Sequence, residues 1–231
     1  VTVTISNPTR HTVKILKWFT PADGVEGALF SVKLDGKKVG YLGPIYKRPA
    51  ATGKDYISLK SGESIVQTVN LGDYYDLSAS GQYEIAYDIS SFNLYDEKGN
   101  AFKFKSNLQS DAVSAKVAGR KKPPPPPPPP DGGTSFNSCT TEQQTALLEA
   151  RAQASTYAAD SVSYLNGNLG SRYTTWFGVY SPARYNTVSG NFDAISDAMD
   201  NAGVTFDCKC KQPYFAYVYP NQPYKIYVCK V

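Results

Sequence analysis

Four cysteines carry the most definite chemistry in this 231-residue sequence: Cys139, Cys208, Cys210 and Cys229. Such a set serves as a metal site or as a pair of disulfides, and spacing separates the two. Structural zinc sites favour cysteine pairs spaced C-x₂₋₄-C, which Cys208-Lys209-Cys210 does not supply. Cysteines this close cannot easily bond to each other, so each reaches outward. The simplest pairing is Cys139 with Cys208 and Cys210 with Cys229, although four cysteines allow three connectivities and sequence alone does not choose. His11 is the only histidine, and one imidazole near a Pro-Thr turn reads as an ordinary surface or strand residue. A Ser-His-Asp or Cys-His arrangement would need His11 to cross a long proline run, with cysteines already committed to disulfides. The acid pairs Asp73 with Asp76 and Asp96 with Glu97 fall in turn-like stretches where carboxylates stay solvated, and no glycine-rich phosphate loop is present. No catalytic side chain and no metal ligand is assigned from these residues.

Around the cysteines stand three further motifs: Ser171-Arg172-Tyr173-Thr174-Thr175-Trp176-Phe177-Gly178, then Phe206-Asp207-Cys208, then Phe215-Ala216-Tyr217-Val218-Tyr219-Pro220-Asn221. In order and spacing they resemble the N-terminal half of a deuterolysin-type zinc protease, most closely the peptidyl-Lys metalloendopeptidases. The resemblance covers roughly residues 134–231. It implies zinc in the complete enzyme, held on an H-E-x-x-H helix that should follow the last cysteine. Zinc hydrolysis needs imidazole ligands, an open coordination position and a carboxylate base. The sequence ends two residues after Cys229, so the expectation is that this chain alone binds no zinc and is inactive. The family's acidic specificity pocket is likewise expected beyond the last residue. What the resemblance places here is an edge strand, Tyr214, Phe215, Ala216, Tyr217, Val218 and Tyr219, along which an extended substrate adds a strand by main-chain hydrogen bonds.

Composition points to export. Cysteines confined to one segment suit an oxidising compartment, no apolar run is long enough for a membrane helix, and Val1 opens the sequence without an initiator methionine. The expected location is extracellular, with no membrane partner. The net charge of +4 is modest, and apart from Arg120-Lys121-Lys122 the lysines are dispersed, which argues against a nucleic-acid partner. The 18 tyrosines fall mostly in alternating or turn-flanked segments and read as packing.

Eight consecutive prolines at 123–130, followed by Asp131-Gly132-Gly133, mark a linker of ~25 Å in polyproline II. The expected organisation is multidomain: an all-β sandwich over 1–117, a proline-rich linker over 118–133, and over 134–231 a partial zincin-like α+β domain, mainly helical with a β-hairpin. Before the linker, period-two alternation runs through Val1, Val3 and Ile5; Phe30, Val32 and Leu34; Tyr83, Ile85, Tyr87 and Ile89; Phe102 and Phe104; Val113, Ala115 and Val117. Turns are expected at Asp23-Gly24, Asp35-Gly36, Ser61-Gly62, Ser80-Gly81 and Lys98-Gly99-Asn100, spacings that suit about seven or eight strands. Leu59-Lys60-Ser61-Gly62-Glu63-Ser64 with the later Gly81-Gln82-Tyr83 resembles immunoglobulin-like sandwiches, including the propeptides of this protease family. After the linker, Thr141 and Gln144 suit a capping box, opening a helix whose stripe is Leu147, Ala150, Ala154, Tyr157, Ala158, Val162 and Leu165, ended by Asn166-Gly167. A second helix from about Pro182 to Ala202 turns Val188, Phe192, Ile195 and Met199 inward and stops at Gly203. Tyr224, Ile226 and Val228 return as the second arm of the hairpin.

The order sandwich, linker, protease-like segment suggests an inhibitory or chaperoning prodomain in a zymogen, since a covalently attached domain blocks a cleft at high effective concentration. Partners are then a protein or peptide substrate, the remaining catalytic segment, and the chain's own prodomain. Lys116, on the last expected strand, is the candidate prodomain plug for a lysine pocket, while Arg120, Lys121 and Lys122 read as a processing site. The alternative function is a noncatalytic secreted binding module derived from such a protease.

Overall fold

The computed structural model describes residues 1–92, 106–121, 132–167 and 169–229. They form a β-rich region followed by helices and strands. The strands in chain order are β1 (Thr2–Ser6), β2 (Val13–Leu16), β3 (Phe30–Leu34), β4 (Lys37–Lys38), β5 (Ile45–Lys47), β6 (Tyr56–Leu59) and β7 (Ser64–Thr68). These are followed by β8 (Gly81–Phe92), β9 (Ser106–Gln109), β10 (Val113–Val117) and β11 (Thr134–Asn137). Helices α1 (Thr141–Leu165), α2 (Ser171–Phe177) and α3 (Pro182–Asn201) precede β12 (Val204–Asp207), β13 (Ala216–Val218) and β14 (Lys225–Val228). Two compact units result: Val1–Pro125 with Pro213–Gln222, and Pro126–Gln212 with Pro223–Lys230.

In the first unit β8 is the central strand, flanked antiparallel by β10 and β3, with β4 beyond β3 and β9 pairing further along β8. Its alternation decides which face is inside: Tyr83, Ile85, Tyr87 and Ile89 are buried while Gln82 and Glu84 are exposed. Onto them pack Phe30 and Val32 of β3, Ile5 of β1, Val13 and Ile15 of β2, and Leu59 of β6. The β3–β4 hairpin closes through Asp35-Gly36, both at positive φ (49° and 76°), the two-residue turn that matches strand twist and favours Asp-Gly. Strands β2, β5 and β6 are only three or four residues long and β7 carries two adjacent apolar residues, Ile65 and Val66, which is why sequence periodicity did not mark them. Phe102, Phe104, the Lys98-Gly99-Asn100 turn, the Asp96 and Glu97 pair, Lys122 and the proline run 123–130 lie outside the described residues.

Two polar side chains tie this core. The Asn7 amide, 2 % exposed, donates to the carbonyls of His11, Leu59 and Lys60 (2.8, 2.9 and 3.1 Å) and its oxygen accepts from Thr9. The Tyr75 hydroxyl accepts from the Phe30 N–H (3.0 Å) and donates to the Phe30 carbonyl (2.8 Å), and its ring meets Phe30 and Tyr41 edge-on.

In the second unit β12 lies between β11 and β14, parallel to both. Helix α1 begins one residue earlier in its capping logic than the sequence suggested. The box is formed by Thr140 and Gln143, with Thr140 N–H donating to Gln143 Oε1 (2.9 Å) and Gln143 N–H to Thr140 Oγ1 (3.3 Å). Gln144 instead donates to the Cys139 carbonyl. Helices α1 and α3 pack together, and Arg151 of α1 reaches the C-terminal end of α3, donating to the carbonyls of Met199 (3.3 Å) and Ala202 (3.0 Å) and to that of Gly132 (3.0 Å). A cation there satisfies orphan carbonyls and opposes the negative end of the helix dipole. The inward stripes are narrower than expected: Ala158 and Leu165 are buried on α1, whereas Ala150 and Tyr157 are exposed, as is Ile195 on α3.

Removing the Tyr75 hydroxyl strands a buried N–H and a buried carbonyl, each expensive to leave unmade. Tyr75→Phe is expected to lower the stability of the first unit by about 1–3 kcal/mol, read as a fall in urea midpoint at unchanged slope.

Candidate functional site

Parallel pairing of β11 with β12 sets Asn137 opposite Asp207, so the residues just past both strands, Cys139 and Cys208, meet. They form one disulfide (Cα–Cα 5.0 Å), and Cys210 with Cys229 forms the other (Cα–Cα 4.4 Å). Among the described residues no cysteine is free, and no group of three or more His, Cys, Asp or Glu side chains stands together to hold a metal. The donor set among the described residues does not fit a zinc site. His11 is exposed in a loop whose carbonyl accepts from Asn7 and Thr9.

Asp207 is a buried charge in this unit, 5 % exposed. It accepts from Asn137 Nδ2 (2.8 Å) and from the Lys209 N–H (3.1 Å), and Lys225 Nζ lies 3.6 Å away. Burial alone would raise its pKa, but the Lys209 N–H, the Asn137 amide and the two ammonium groups outweigh it and hold the carboxyl below its ordinary value. The Arg-Tyr-x-x-Trp-Phe-Gly run forms α2. Tyr173 is buried (1 %) and the Tyr164 hydroxyl accepts its N–H (3.0 Å). Arg172 stacks on Tyr164 (5.2 Å), and Gly178 at φ 80° ends the helix. Trp176, 76 % exposed, lines with Tyr157, Arg172, Phe177 and Phe192 an open cleft of ≈ 560 Å³.

Of the expected edge strand 214–219, Ala216–Val218 is regular strand, and it has a partner. Within the first unit β13 pairs antiparallel with β5, Ala216 opposite Lys47, Tyr217 opposite Tyr46 and Val218 opposite Ile45. The Phe215 N–H donates to the Lys47 carbonyl (2.9 Å). Three residues of ladder hold little by themselves, and Arg48 supplies the rest. Its guanidinium pairs with Glu26 (2.9 Å), both side chains only 14 % exposed, and also donates to the Glu26 carbonyl. It lies over the rings of Tyr46 (4.5 Å), Trp18 (5.0 Å) and Tyr214 (5.2 Å). The Tyr214 hydroxyl donates to Glu26 (2.7 Å), and the Tyr46 and Tyr214 rings are 4.5 Å apart. Burial first, and the Glu26 carboxylate second, push the Tyr214 phenol up to about 12, so it remains a donor throughout the neutral range. Burial and Tyr214 raise Tyr46 likewise. Lys116 is exposed on β10 opposite Gln82.

Sequence reasoning missed the Trp18, Glu26, Tyr46 and Arg48 cluster. The available signal was Pro44-Ile45-Tyr46-Lys47-Arg48-Pro49, a short piece bracketed by prolines that favour extended backbone before them.

Breaking a buried pair leaves an uncompensated charge. Arg48→Ala is expected to cost the first unit about 3–5 kcal/mol in chemical denaturation, with Arg48→Ala/Glu26→Gln recovering part of it. For Asp207, a depressed folded-state pKa means stability that is present above the ordinary carboxylate value of 3.8 and lost as pH falls through the folded value. Thermal melts of Asp207→Asn are therefore expected to fall less steeply than the native chain's as the medium is acidified below that value.

Residues 162–231 match the aspzincin family, described as lysine-specific metallo-endopeptidase. An extracellular protease of Aeromonas hydrophila is 41% identical over 243 residues, taking in 100% of this chain and 69% of that protein. A peptidyl-Lys metalloendopeptidase of Armillaria mellea is 31% identical over 241 residues (99% of this chain, 68% of that protein), and one of Grifola frondosa is 29% identical over 249 (99% and 69%).

Proposed function

This chain belongs to the lysine-specific metallo-endopeptidase family, and from that premise we propose that it is part of a secreted zinc metalloendopeptidase precursor cleaving proteins at lysine. Residues 1–117, read as an immunoglobulin-like sandwich, act as the inhibitory and chaperoning prodomain. Residues 118–133 are the linker, and residues 134–231 the N-terminal half of the catalytic domain. The carrying observation is that similarity to proteases runs through the β-rich region as well as the helical one. Two disulfides suit an exported enzyme.

In this reading residues 214–219 are the edge on which substrate lies, offering main-chain donors and acceptors that tolerate many sequences. Lysine selection needs an acidic partner for an ammonium group, and Glu26 is already engaged by Arg48 and Tyr214. In the complete enzyme zinc would supply water activation, and the residues of this chain would supply the substrate edge and its covalent frame.

The full-length protein, secreted and processed, is expected to cut denatured protein substrates on the N-terminal side of lysine, to lose that activity to a zinc chelator, and to show far less of it before processing. Peptide mass mapping reads the sites. Cuts with no lysine preference, or cuts indifferent to chelation, would overturn the proposal.

A further inference from the structure

We infer that β5 is a built-in pseudosubstrate: residues 44–49 lie on the 214–218 edge as an extended substrate would, and Lys47 stands where the recognised lysine belongs. This rests on the reading of that edge as the substrate site. The first ground is the main chain. An exposed strand edge is a template for whatever strand reaches it, and this one is already paired antiparallel, in register, with the Phe215 N–H spent on Lys47.

The second ground is side-chain alternation. Tyr46 faces inward on Tyr214 and Tyr217, while Ile45 and Lys47 are exposed. Lys47 forms no ion pair among the described residues, so its ammonium is available to a carboxylate brought from outside them.

The third ground is how the strand is limited and held. Pro44 and Pro49 lack an N–H and cannot donate to the ladder, so pairing is confined to the residues between them. Arg48, next to the presented lysine, is anchored on Glu26 and three rings, which fixes the register of Lys47 opposite Ala216. Lys116 has none of this, being exposed within a sheet opposite Gln82. Covalent attachment makes such a strand effective even when it binds weakly. At an effective concentration on the order of millimolar, a segment with a dissociation constant of ~10 μM keeps the edge about 99% closed.

The test uses the full-length protein and two independent readouts. Unprocessed Lys47→Ala, an exposed substitution that leaves the fold intact, is expected to hydrolyse a lysyl reporter peptide at least roughly tenfold faster than the unprocessed native chain, while Lys116→Ala stays as latent as native. A synthetic peptide of residues 44–49 is expected to compete with substrate for the processed enzyme, and its Lys47→Ala version to compete at least about tenfold more weakly. Native latency in Lys47→Ala together with equal potency of the two peptides, in an enzyme that does cut at lysine, would overturn this inference and leave the proposed activity standing. A processed enzyme without lysine preference would overturn both.

Discussion

A guanidinium largely withdrawn from water holds the most consequential pairing in the first unit. Strand β5 is three residues long, and so short a ladder contributes only a few net hydrogen bonds of about 1 kcal/mol each, less than the entropy of ordering two segments. Arg48 changes the balance. Its charge is met by Glu26 on one side and by aromatic faces on the others, contacts that gain strength where water is excluded. Glu26 in turn receives the Tyr214 hydroxyl, so residues distant in sequence share one desolvated cluster. Remove the cation and the carboxylate is stranded, the rings lose their common partner, and the ladder is left to itself.

The second unit solves a different problem. Parallel strands cannot be joined by tight turns and need long crossovers, and here the helices α1 to α3 fill the connection between β11 and β12. Closing so long a loop costs entropy, which the Cys139–Cys208 bond offsets by joining the strands just past their ends. Asp207 and Arg151 finish the frame. One neutralises donors and cations at the strand terminus, the other satisfies carbonyls where α3 stops.

What could be read from the sequence was whatever repeats locally. The alternation of Tyr83, Ile85, Tyr87 and Ile89 is buried as written, Asp35-Gly36 makes its turn, and α1 and α3 end at the polar and glycine signals that follow them. The capping box slipped by one residue because Thr140 and Thr141 each precede a glutamine at the right spacing, and only the fold of the Cys139 backbone chooses between them. Ala150, Tyr157 and Ile195 repeat at helical intervals yet lie exposed, since periodicity tells which residues share a stripe but not how much of it is covered. The proline-bracketed piece 44–49 hints at an extended segment but not at its partner, β13. That pairing joins Lys47 to Ala216, and no propensity, spacing or motif carries information across that distance.

The segment 213–222 leaves and returns between Cys210 and Cys229, which are bonded to each other. Its ends are therefore pinned whether or not β5 is in place. The arc has thereby surrendered much of its freedom, so the strand that pairs with it bears mainly its own ordering cost. Reducing that bond should accordingly loosen the 213–222 arc before it touches β5.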